Sequence, residues 1–236
     1  VLLYAGFLFT LNKKWFLFTP SMWQALLKAT LAMVVFTALA SGIYLLNNVQ
    51  DLEQDRLHPK KRHRPIAAGH VPIWMALSLT LLLEGFGLWG AFALAPSFGW
   101  VGLAYVLIQL AYTYSLKHMV IIDVFVLASG FVLRAVSGVL VLSADISPWL
   151  YIVTFLGALF LGLCKRRHEL SLLADDAGKH RQSLSHYSTE LLDQMISIVT
   201  ASTLMAYSLY TFSAQGLPPN HLMMLTIPYV LYGMLR

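Results

Sequence analysis

The sequence predicts an all-α membrane protein built as a bundle of spanning helices, and three observations support this fold class. Of the 236 residues, 58% are hydrophobic and 11% are charged, whereas about 45–50% apolar residues is typical of a soluble domain. The mean hydropathy is +0.68. Apolar runs of roughly 20 residues recur, which is enough for a helix to cross a hydrocarbon core of about 30 Å. The runs are contiguous rather than alternating, which argues against an outer-membrane barrel.

One domain is expected over the whole chain, 1–236, because no hydrophilic stretch is long enough to fold separately. Two long polar loops, 47–70 and 165–188, interrupt the apolar runs. The chain has no initiating methionine and stops abruptly after an apolar run, so we expect it to be truncated at both ends. Eight helical spans are predicted, at about 1–12, 22–46, 71–95, 98–116, 119–143, 148–164, 189–213 and 221–235.

The Lys and Arg residues are distributed unevenly between the two faces of the membrane. If the N-terminus is cytoplasmic, Lys13 and Lys14 lie outside, Lys28 and Arg134 lie within spans, and all the others fall on the cytoplasmic face. Such a bias is the positive-inside pattern, and it places both long polar loops in the cytoplasm. The cytoplasmic set is Arg56, Lys60, Lys61, Arg62, Arg64, Lys117, Lys165, Arg166, Arg167, Lys179, Arg181 and Arg236.

Several classes of site are excluded by what the sequence lacks. A single cysteine, Cys164, excludes an internal disulfide. The eight histidines show no metal-ligand spacing, and neither a Walker loop nor the G-x-S-x-G or G-x-G-x-x-G pattern occurs. No nucleic-acid partner is expected, and a homo-oligomer is left open. Aromatic residues near predicted helix ends indicate an interfacial belt: Trp23, Trp74, Trp100, Trp149 and Tyr187.

The densest polar block, 47–69, reads NNVQDLEQDRLHPKKRHRPIAAG. If the preceding helix continues, Asn47, Asp51 and Asp55 share one of its faces. Magnesium is usually held by one or two carboxylates together with substrate phosphates. Two carboxylates and the amide oxygens of Asn47 and Asn48 suit that role. The alternative is a polar helix cap, but acids at a helix C-terminus are disfavoured by the macrodipole, which favours a compensating cation.

The basic half of this block, from Arg56 to Arg64, has two explanations. Positive-inside topology alone predicts basic residues in a cytoplasmic loop. The rigid pairs His58-Pro59 and Arg64-Pro65 favour instead a shaped loop that holds anions.

Asp123 and Arg134 lie eleven residues apart in the fifth predicted span, nearly on one face, with Gly130 between them. A charge within a span costs several kcal/mol unless it faces a cavity or a partner. The separation, about 16 Å along a helix, excludes a pair within the helix. We favour a polar stripe along a cavity, with Arg134 reaching an anionic ligand. A structural ion pair with another helix, with Glu84 as a candidate partner of Arg134, is the alternative.

The stretch CKRRHEL, 164–170, ends the sixth predicted span. Lys165 and Glu169 are four residues apart, and basic residues at a helix C-terminus are ordinary caps. Capping and a substrate-binding role are equally supported.

The block at 47–55, N-N-V-Q-D-L-E-Q-D, resembles the N-D-x-x-D-x-x-x-D motif of the UbiA-type membrane prenyltransferases. Residues 55–67 are similar to D-R-x-H-P-x-K-R-x-R-P-I-A, which is found in the decaprenyl-phosphate phosphoribosyltransferase branch. The stretches 114–138 and 165–170 resemble the same branch. In three places the sequence departs from the pattern, one being that the family's last helix is expected to be absent. Asn48 stands where the family has aspartate, and the R-P-x-Q-W-x-K-N stretch expected just before residue 1 is absent.

The resemblance implies a bundle of about nine helices, of which eight are present here, around a cavity open to lipid and to the cytoplasm. It implies Mg²⁺ bound by the aspartate motif, phosphoribosyl pyrophosphate as donor and a polyprenyl (decaprenyl-type) phosphate as acceptor. The product would be a cell-envelope precursor. The implied metal ligands are Asn48, Asp51 and Asp55. The implied catalytic residues are Asp51, Asp55, Lys117 and Arg134. The implied substrate-binding residues are Asn47, Lys60, Arg62, Arg64, Asp123, Lys165, Arg166 and Glu169.

Two other functions remain as alternatives. A prenyltransferase acting on a prenyl diphosphate and an aromatic or other small acceptor would use the same aspartate motif. A membrane transporter would account for charges inside the spans, but it leaves the acid–base block unexplained.

Overall fold

A computed structural model describes residues 2–10, 18–57, 59–144, 148–173, 187–213 and 220–236, and this described part contains helices and turns but no strand. Short 3₁₀ turns lie at Lys61–His63, Leu116–His118 and Leu222–Thr226. The α-helices are α1 (Tyr4–Thr10), α2 (Pro20–Gln50), α3 (Leu52–Leu57), α4 (Ile73–Leu94), α5 (Pro96–Tyr114), α6 (Ile122–Leu140), α7 (Pro148–Leu173), α8 (Thr189–Ser213) and α9 (Ile227–Leu235).

Five of these helices, α2, α4, α6, α7 and α8, are long and apolar enough to cross a membrane. Their outer faces carry large apolar side chains, such as Leu81 and Trp89, which are 74% and 70% exposed. Exposed leucine and tryptophan at this density are what lipid, rather than water, accommodates. The predicted all-α membrane bundle is therefore confirmed.

Several predicted boundaries are wrong. α2 continues through Gln50 and is followed at once by α3, so the first part of the polar stretch 47–70 is helical. Similarly, α7 extends to Leu173, which makes the KRRHEL stretch helical as well. The last predicted span, 221–235, is divided into a 3₁₀ turn and α9, with Pro228 in the first turn of α9. In the first predicted span only Tyr4–Thr10 forms the helix, and 11–17 lies outside the described residues.

Two of the three buried apolar clusters lie between the long helices. The first surrounds α2, where Ala25, Ala29 and Ala32 form a buried stripe and Phe36 packs on Tyr105 of α5 at 4.7 Å between ring centroids. The second lies between α6, α7 and α8 and is built on side chains such as Val124 and Leu163. In lipid, small residues let helices approach closely. Gly87 and Gly90 of α4 allow this against α2, since a methyl group added at either would overlap the side chain of Leu39 or Val35.

Glycines bring α1 directly onto α6. A methyl group added at Gly138 would overlap the backbone of Leu3, and one added at Gly6 would overlap the backbone of Gly138. At this crossing the two backbones touch without intervening side chains.

Gly138→Ala is expected to lower the thermal unfolding midpoint in detergent, because the added methyl group must push α1 away from α6. Overpacking of this kind typically costs about 1–3 kcal/mol. Gly157→Ala in α7 is the matched control, since a methyl group there meets no atom within 4 Å. Equal unfolding midpoints for the two variants would contradict the close approach of α1 and α6.

Candidate active site

Asp51 is the C-terminal cap of α2, and its carboxylate accepts from two donors. Asn47 Nδ2 donates to Asp51 Oδ2 at 3.2 Å, and Lys117 Nζ lies 2.5 Å from Asp51 Oδ1. The helix continues far enough to put Asn47 and Asp51 on one face, as the sequence predicts. Because the helix dipole disfavours an acid here, the ammonium group of Lys117 supplies compensating charge.

Lys117 reaches this position from the 3₁₀ turn Leu116–His118, which connects α5 to α6. Its side chain is 11% exposed and that of Asp51 is 22% exposed, so the pair is shielded from solvent on most sides. The pair joins α2 to a turn that is 66 residues distant in sequence. Tertiary structure, rather than local spacing, creates this part of the site.

A second acid–base pair lies one helical turn further along the chain. Arg64 NH1 donates to Asp55 Oδ2 at 2.7 Å and to Asn48 Oδ1 at 3.0 Å. The guanidinium group also lies over the ring of Tyr44, 5.7 Å from its centroid. Asp55 is buried and Arg64 is half-buried. The basic loop, the stretch after α3 that contains Arg64, therefore folds back onto α3.

Hydrogen bonds within the basic loop give it a fixed shape. Ala68 N–H donates to the carbonyl of Arg64, and the N–H groups of His70 and Val71 both donate to the carbonyl of Pro65. Gly69 turns the chain with a φ of 81°, a value that favours glycine. These bonds start at Arg64-Pro65, one of the two proline pairs in the prediction, whereas His58 of the other pair lies outside the described residues.

The polar groups at the end of α2 fit a magnesium ion that takes part of its coordination from a ligand. Asn47 Oδ1 is buried and accepts no hydrogen bond, although it sits beside the Asp51 carboxylate. Within the described residues, no group of three or more His, Cys, Asp or Glu side chains is arranged to hold a metal. Mg²⁺ commonly binds through one or two carboxylates plus substrate phosphates, so this donor set suits it. Of the predicted ligands, Asp51 lies in this set, whereas Arg64 engages Asn48 and Asp55.

A buried charge network lies at the start of α6. Asp123 is fully buried, and Arg166 of α7 donates to its Oδ2 at 2.9 Å. Arg166 is itself 1% exposed and also donates to Glu169 at 2.7 Å. The favoured interpretation of Asp123 as a cavity-lining residue is therefore replaced by the alternative, a structural ion pair with another helix. The partner lies in α7, since that helix runs alongside α6 beyond its predicted end.

Tyr187, just before α8, completes this network. Its hydroxyl donates to Asp123 Oδ1 at 2.9 Å and accepts from the N–H of Ile121 at 2.6 Å. Burial raises the pKa of Tyr187 above its ordinary value, so the hydroxyl stays protonated and remains a donor. The predicted place of Tyr187 in an interfacial belt is wrong, because the ring is buried against Val124 and Leu192. No signal in the sequence distinguished it from the exposed aromatic residues.

Ile121 occupies a strained backbone conformation at the entrance to α6. Its φ is 68° and its ψ is −48°, and the N–H of Ile122 donates to the carbonyl of Val120 at 2.8 Å. This is a γ-turn of the rare, positive-φ kind. Positive φ in a β-branched residue costs about 1–3 kcal/mol and persists only where the surroundings enforce it.

Arg134 is not brought to the Asp51–Lys117 pair. It donates to the hydroxyl of Tyr105 at 2.8 Å and lies 5.4–5.8 Å from the ring centroids of Phe36, Tyr105 and Phe131. It stands eleven residues beyond Asp123, about 16 Å deeper along α6. The implied catalytic grouping of Arg134 with Asp51, Asp55 and Lys117 is not one cluster in this structure.

The remaining predicted residues lie at the periphery. Lys60, Arg62 and Lys165 are exposed, and Arg62 Nε donates to His63 at 3.4 Å. Glu84 is not the partner of another charge in the described part of the chain. Its carboxylate instead packs against Gly42 of α2.

Comparison with known families identifies the chain. The model described as the UbiA prenyltransferase family matches residues 7–236. The chain belongs to the UbiA prenyltransferase family. Curated relatives include the decaprenyl-phosphate phosphoribosyltransferase of Mycobacterium tuberculosis, 34% identical over 208 residues, which are 88% of this chain and 69% of the relative. The protein of that name from Mycolicibacterium smegmatis is 39% identical over 186 residues, 79% of this chain and 58% of the relative.

Solved structures of UbiA homologues share the fold. The homolog from Archaeoglobus fulgidus bound to DMAPP and Mg²⁺ superposes with a TM-score of 0.81 at 19% identity, covering 99% of this chain and 81% of that chain. The apo homolog from Aeropyrum pernix K1 gives a TM-score of 0.73 at 16% identity, covering 99% and 85%. At these identities the likeness shows the fold. Family membership makes the chain a membrane transferase, which confirms that prediction over a transporter.

Arg166→Met is expected to unfold the protein at a markedly lower temperature, because it leaves Asp123 buried without its counter-charge. Breaking a buried pair from one side typically costs about 3–5 kcal/mol. Replacing both partners, Asp123→Asn with Arg166→Met, should recover most of that loss.

Arg167→Met is the matched control for this prediction. The neighbouring arginine pairs with Asp193 at 2.8 Å on the surface, with 35% and 57% of the two side chains exposed. Exposed pairs contribute little to stability. Equal shifts in the unfolding midpoint for Arg166→Met and Arg167→Met would contradict a buried ion pair.

Proposed function

We propose that this chain transfers a 5-phosphoribosyl group from phosphoribosyl pyrophosphate to a polyprenyl (decaprenyl-type) phosphate, with Mg²⁺ and with release of pyrophosphate. The observation that carries the proposal is the pairing of Asp51 with Lys117 and of Asp55 with Arg64, side by side at one end of an apolar bundle. Such a site offers acids to a metal and cations to phosphates. The names of the relatives at 34–39% identity support this donor and acceptor.

Both substrates are anionic, so the site must neutralise charge before they approach each other. Lys117 and Arg64 each supply one positive charge beside the donor position, and Arg64 presents a planar fork suited to phosphate oxygens. Asp51 and Asn47 Oδ1 would hold Mg²⁺. When bound, the metal neutralises the diphosphate and stabilises pyrophosphate as it leaves.

The bond changes balance without an added acid or base. A phosphate oxygen of the lipid forms a bond to ribose C1 while the bond from C1 to the pyrophosphate oxygen breaks, and that electron pair leaves with pyrophosphate. The attacking phosphate is already ionised, so no proton is abstracted. Electrostatic stabilisation by Lys117 and Arg64 is therefore the main contribution expected from the side chains.

The location of the site suits substrates of opposite solubility. The distribution of Lys and Arg favours a cytoplasmic position for the end of α2, where a soluble sugar phosphate arrives. The lipid acceptor reaches the same end through the surrounding bilayer. We propose that the protein lies in the cytoplasmic membrane with this face towards the cytoplasm. Its reaction would be one step of cell-envelope synthesis.

Transfer of a prenyl group from a prenyl diphosphate to an aromatic or other small acceptor is the second candidate. Solved homologues with this fold bind DMAPP or GPP with Mg²⁺. The same acids and cations would hold the diphosphate of either donor.

The test is a membrane assay with phosphoribosyl pyrophosphate labelled in the ribose, a polyprenyl phosphate and Mg²⁺, with and without EDTA. Because the chain spans 58–69% of the length of these relatives, the relative from Mycolicibacterium smegmatis is assayed beside it. Label that enters the lipid phase only without EDTA is the expected result. Turnover of a prenyl diphosphate with an aromatic acceptor, and of no phosphoribosyl donor, would overturn it.

Asp51→Asn should lower turnover by about 10²-fold or more, because charge stabilisation by the metal is worth several kcal/mol. The variant keeps the size of the side chain. Glu53→Gln is the matched control, since Glu53 is 84% exposed and pairs only with Arg56 among the described residues. Full activity in Asp51→Asn would exclude Asp51 as a metal ligand.

Lys117→Met should change two affinities in opposite directions. The ammonium group competes with a metal ion for Asp51 Oδ1. The affinity of the variant for Mn²⁺ alone, measured by electron paramagnetic resonance, should therefore increase. Binding of pyrophosphate with Mg²⁺, followed by calorimetry, should weaken by about tenfold, the equivalent of one charge-assisted hydrogen bond.

Lys28→Met is the matched control for this lysine, because Lys28 is exposed near the opposite end of α2. A parallel fall in both affinities for Lys117→Met would mean that Lys117 only maintains the fold of the site.

A further inference from the structure

We propose that Tyr187 is a positioning residue of this transferase, which holds the strained turn that carries Lys117 to Asp51. The proposal rests on the proposed function only in assigning Lys117 to the diphosphate. It concerns a residue that lies 70 positions beyond Lys117 in the chain, in the segment that leads into α8.

The turn between α5 and α6 is fastened at two points. At one end Lys117 pairs with Asp51 at 2.5 Å. At the other end the N–H of Ile121 donates to the hydroxyl of Tyr187 at 2.6 Å. The N–H of Met119 donates to the carbonyl of Leu116 at 3.2 Å, and the N–H of Asp123 donates to the carbonyl of Met119 at 3.1 Å, so backbone hydrogen bonds span the whole turn.

Ile121 would not keep its conformation without an external contact. Its positive φ is unfavourable for a β-branched side chain, and the conformation turns its N–H out of the backbone hydrogen bonds of the turn. The hydroxyl of Tyr187 accepts a hydrogen bond from this N–H and therefore stabilises the strained conformation. If the contact is lost, Ile121 relaxes to negative φ, and the chain is redirected four residues from Lys117.

The hydroxyl of Tyr187 is itself held in a fixed direction. It donates to Asp123 Oδ1 at 2.9 Å, and Arg166 holds the other oxygen of that carboxylate. Asp123 is fully buried, so water does not compete for these bonds. The buried network thus orients one lone pair of Tyr187 at the backbone of Ile121.

Tyr187→Phe separates this role from packing, because it removes the hydroxyl and keeps the ring among Val124, Leu163 and Leu192. The affinity of the whole chain for pyrophosphate with Mg²⁺, measured by calorimetry in detergent, is expected to fall by about tenfold, the effect of one buried hydrogen bond. Tyr207→Phe is the matched control, since its hydroxyl bonds to Thr226 at 2.7 Å, away from the turn. It should leave the affinity unchanged.

Ile121→Gly distinguishes positioning from a general loss of structure. Glycine adopts positive φ without strain, so the turn no longer depends on Tyr187. In the Ile121→Gly background, Tyr187→Phe is expected to leave pyrophosphate affinity nearly unchanged. If Tyr187→Phe costs the same in both backgrounds, or nothing in either, the positioning role is overturned.

A readout that needs no ligand separates this proposal from the proposed function. Lys117 is buried and ion-paired. Its reductive methylation, detected by mass spectrometry, should therefore be slow in the parent and faster in Tyr187→Phe. A parent chain that binds no pyrophosphate would count against the proposed function, and the reactivity of Lys117 alone would then decide the role of Tyr187. Equal reactivity in parent and variant would overturn that role.

Discussion

Asp51 caps the C-terminal end of α2, where the helix dipole disfavours negative charge, and Asp55 lies buried in α3, which follows at once. They are kept there by Lys117 and Arg64, which arrive from a turn and a loop that follow them in the chain. The positions of both cations depend on the rest of the structure. The turn between α5 and α6 positions Lys117, and the hydrogen-bonded loop after α3 positions Arg64. Neither cation reaches an acid unless the bundle is assembled.

The same requirement extends to the other half of the bundle. The turn that carries Lys117 leads directly into Asp123, whose buried carboxylate is neutralised by Arg166 of α7 and oriented by Tyr187. Desolvating these charges is costly, and a well-bonded network is what offsets that cost. An acid–base pair at the end of α2 is thereby connected, through one short turn, to α7 and to the segment before α8.

Sequence reasoning predicted the helices and part of the site, and the limits have a physical basis. Apolar runs identify spans because lipid requires them, but polar residues at the end of a span leave the helix free to continue, as in α2 and α7. The spacing of Asn47 and Asp51 is local, so their pairing was predictable. Arg166 and Arg167 are adjacent in sequence, yet one is buried against Asp123 and the other exposed beside Asp193. Their separate environments, like that of Tyr187, depend on long-range packing.

Stability and function draw on the same contacts in this protein. In lipid the hydrophobic effect does not drive helices together, so close contacts at small residues and polar bonds between helices must do so. Here Gly6 and Gly138 supply the first kind, and the Asp123–Arg166 pair the second. A loss of activity on changing Arg166 therefore reports assembly of the bundle as much as chemistry. Asp51, whose side chain is 22% exposed at the polar end of the bundle, can be altered with a smaller effect on assembly. A change in turnover on altering Asp51 is consequently less affected by assembly of the bundle than one on altering Arg166.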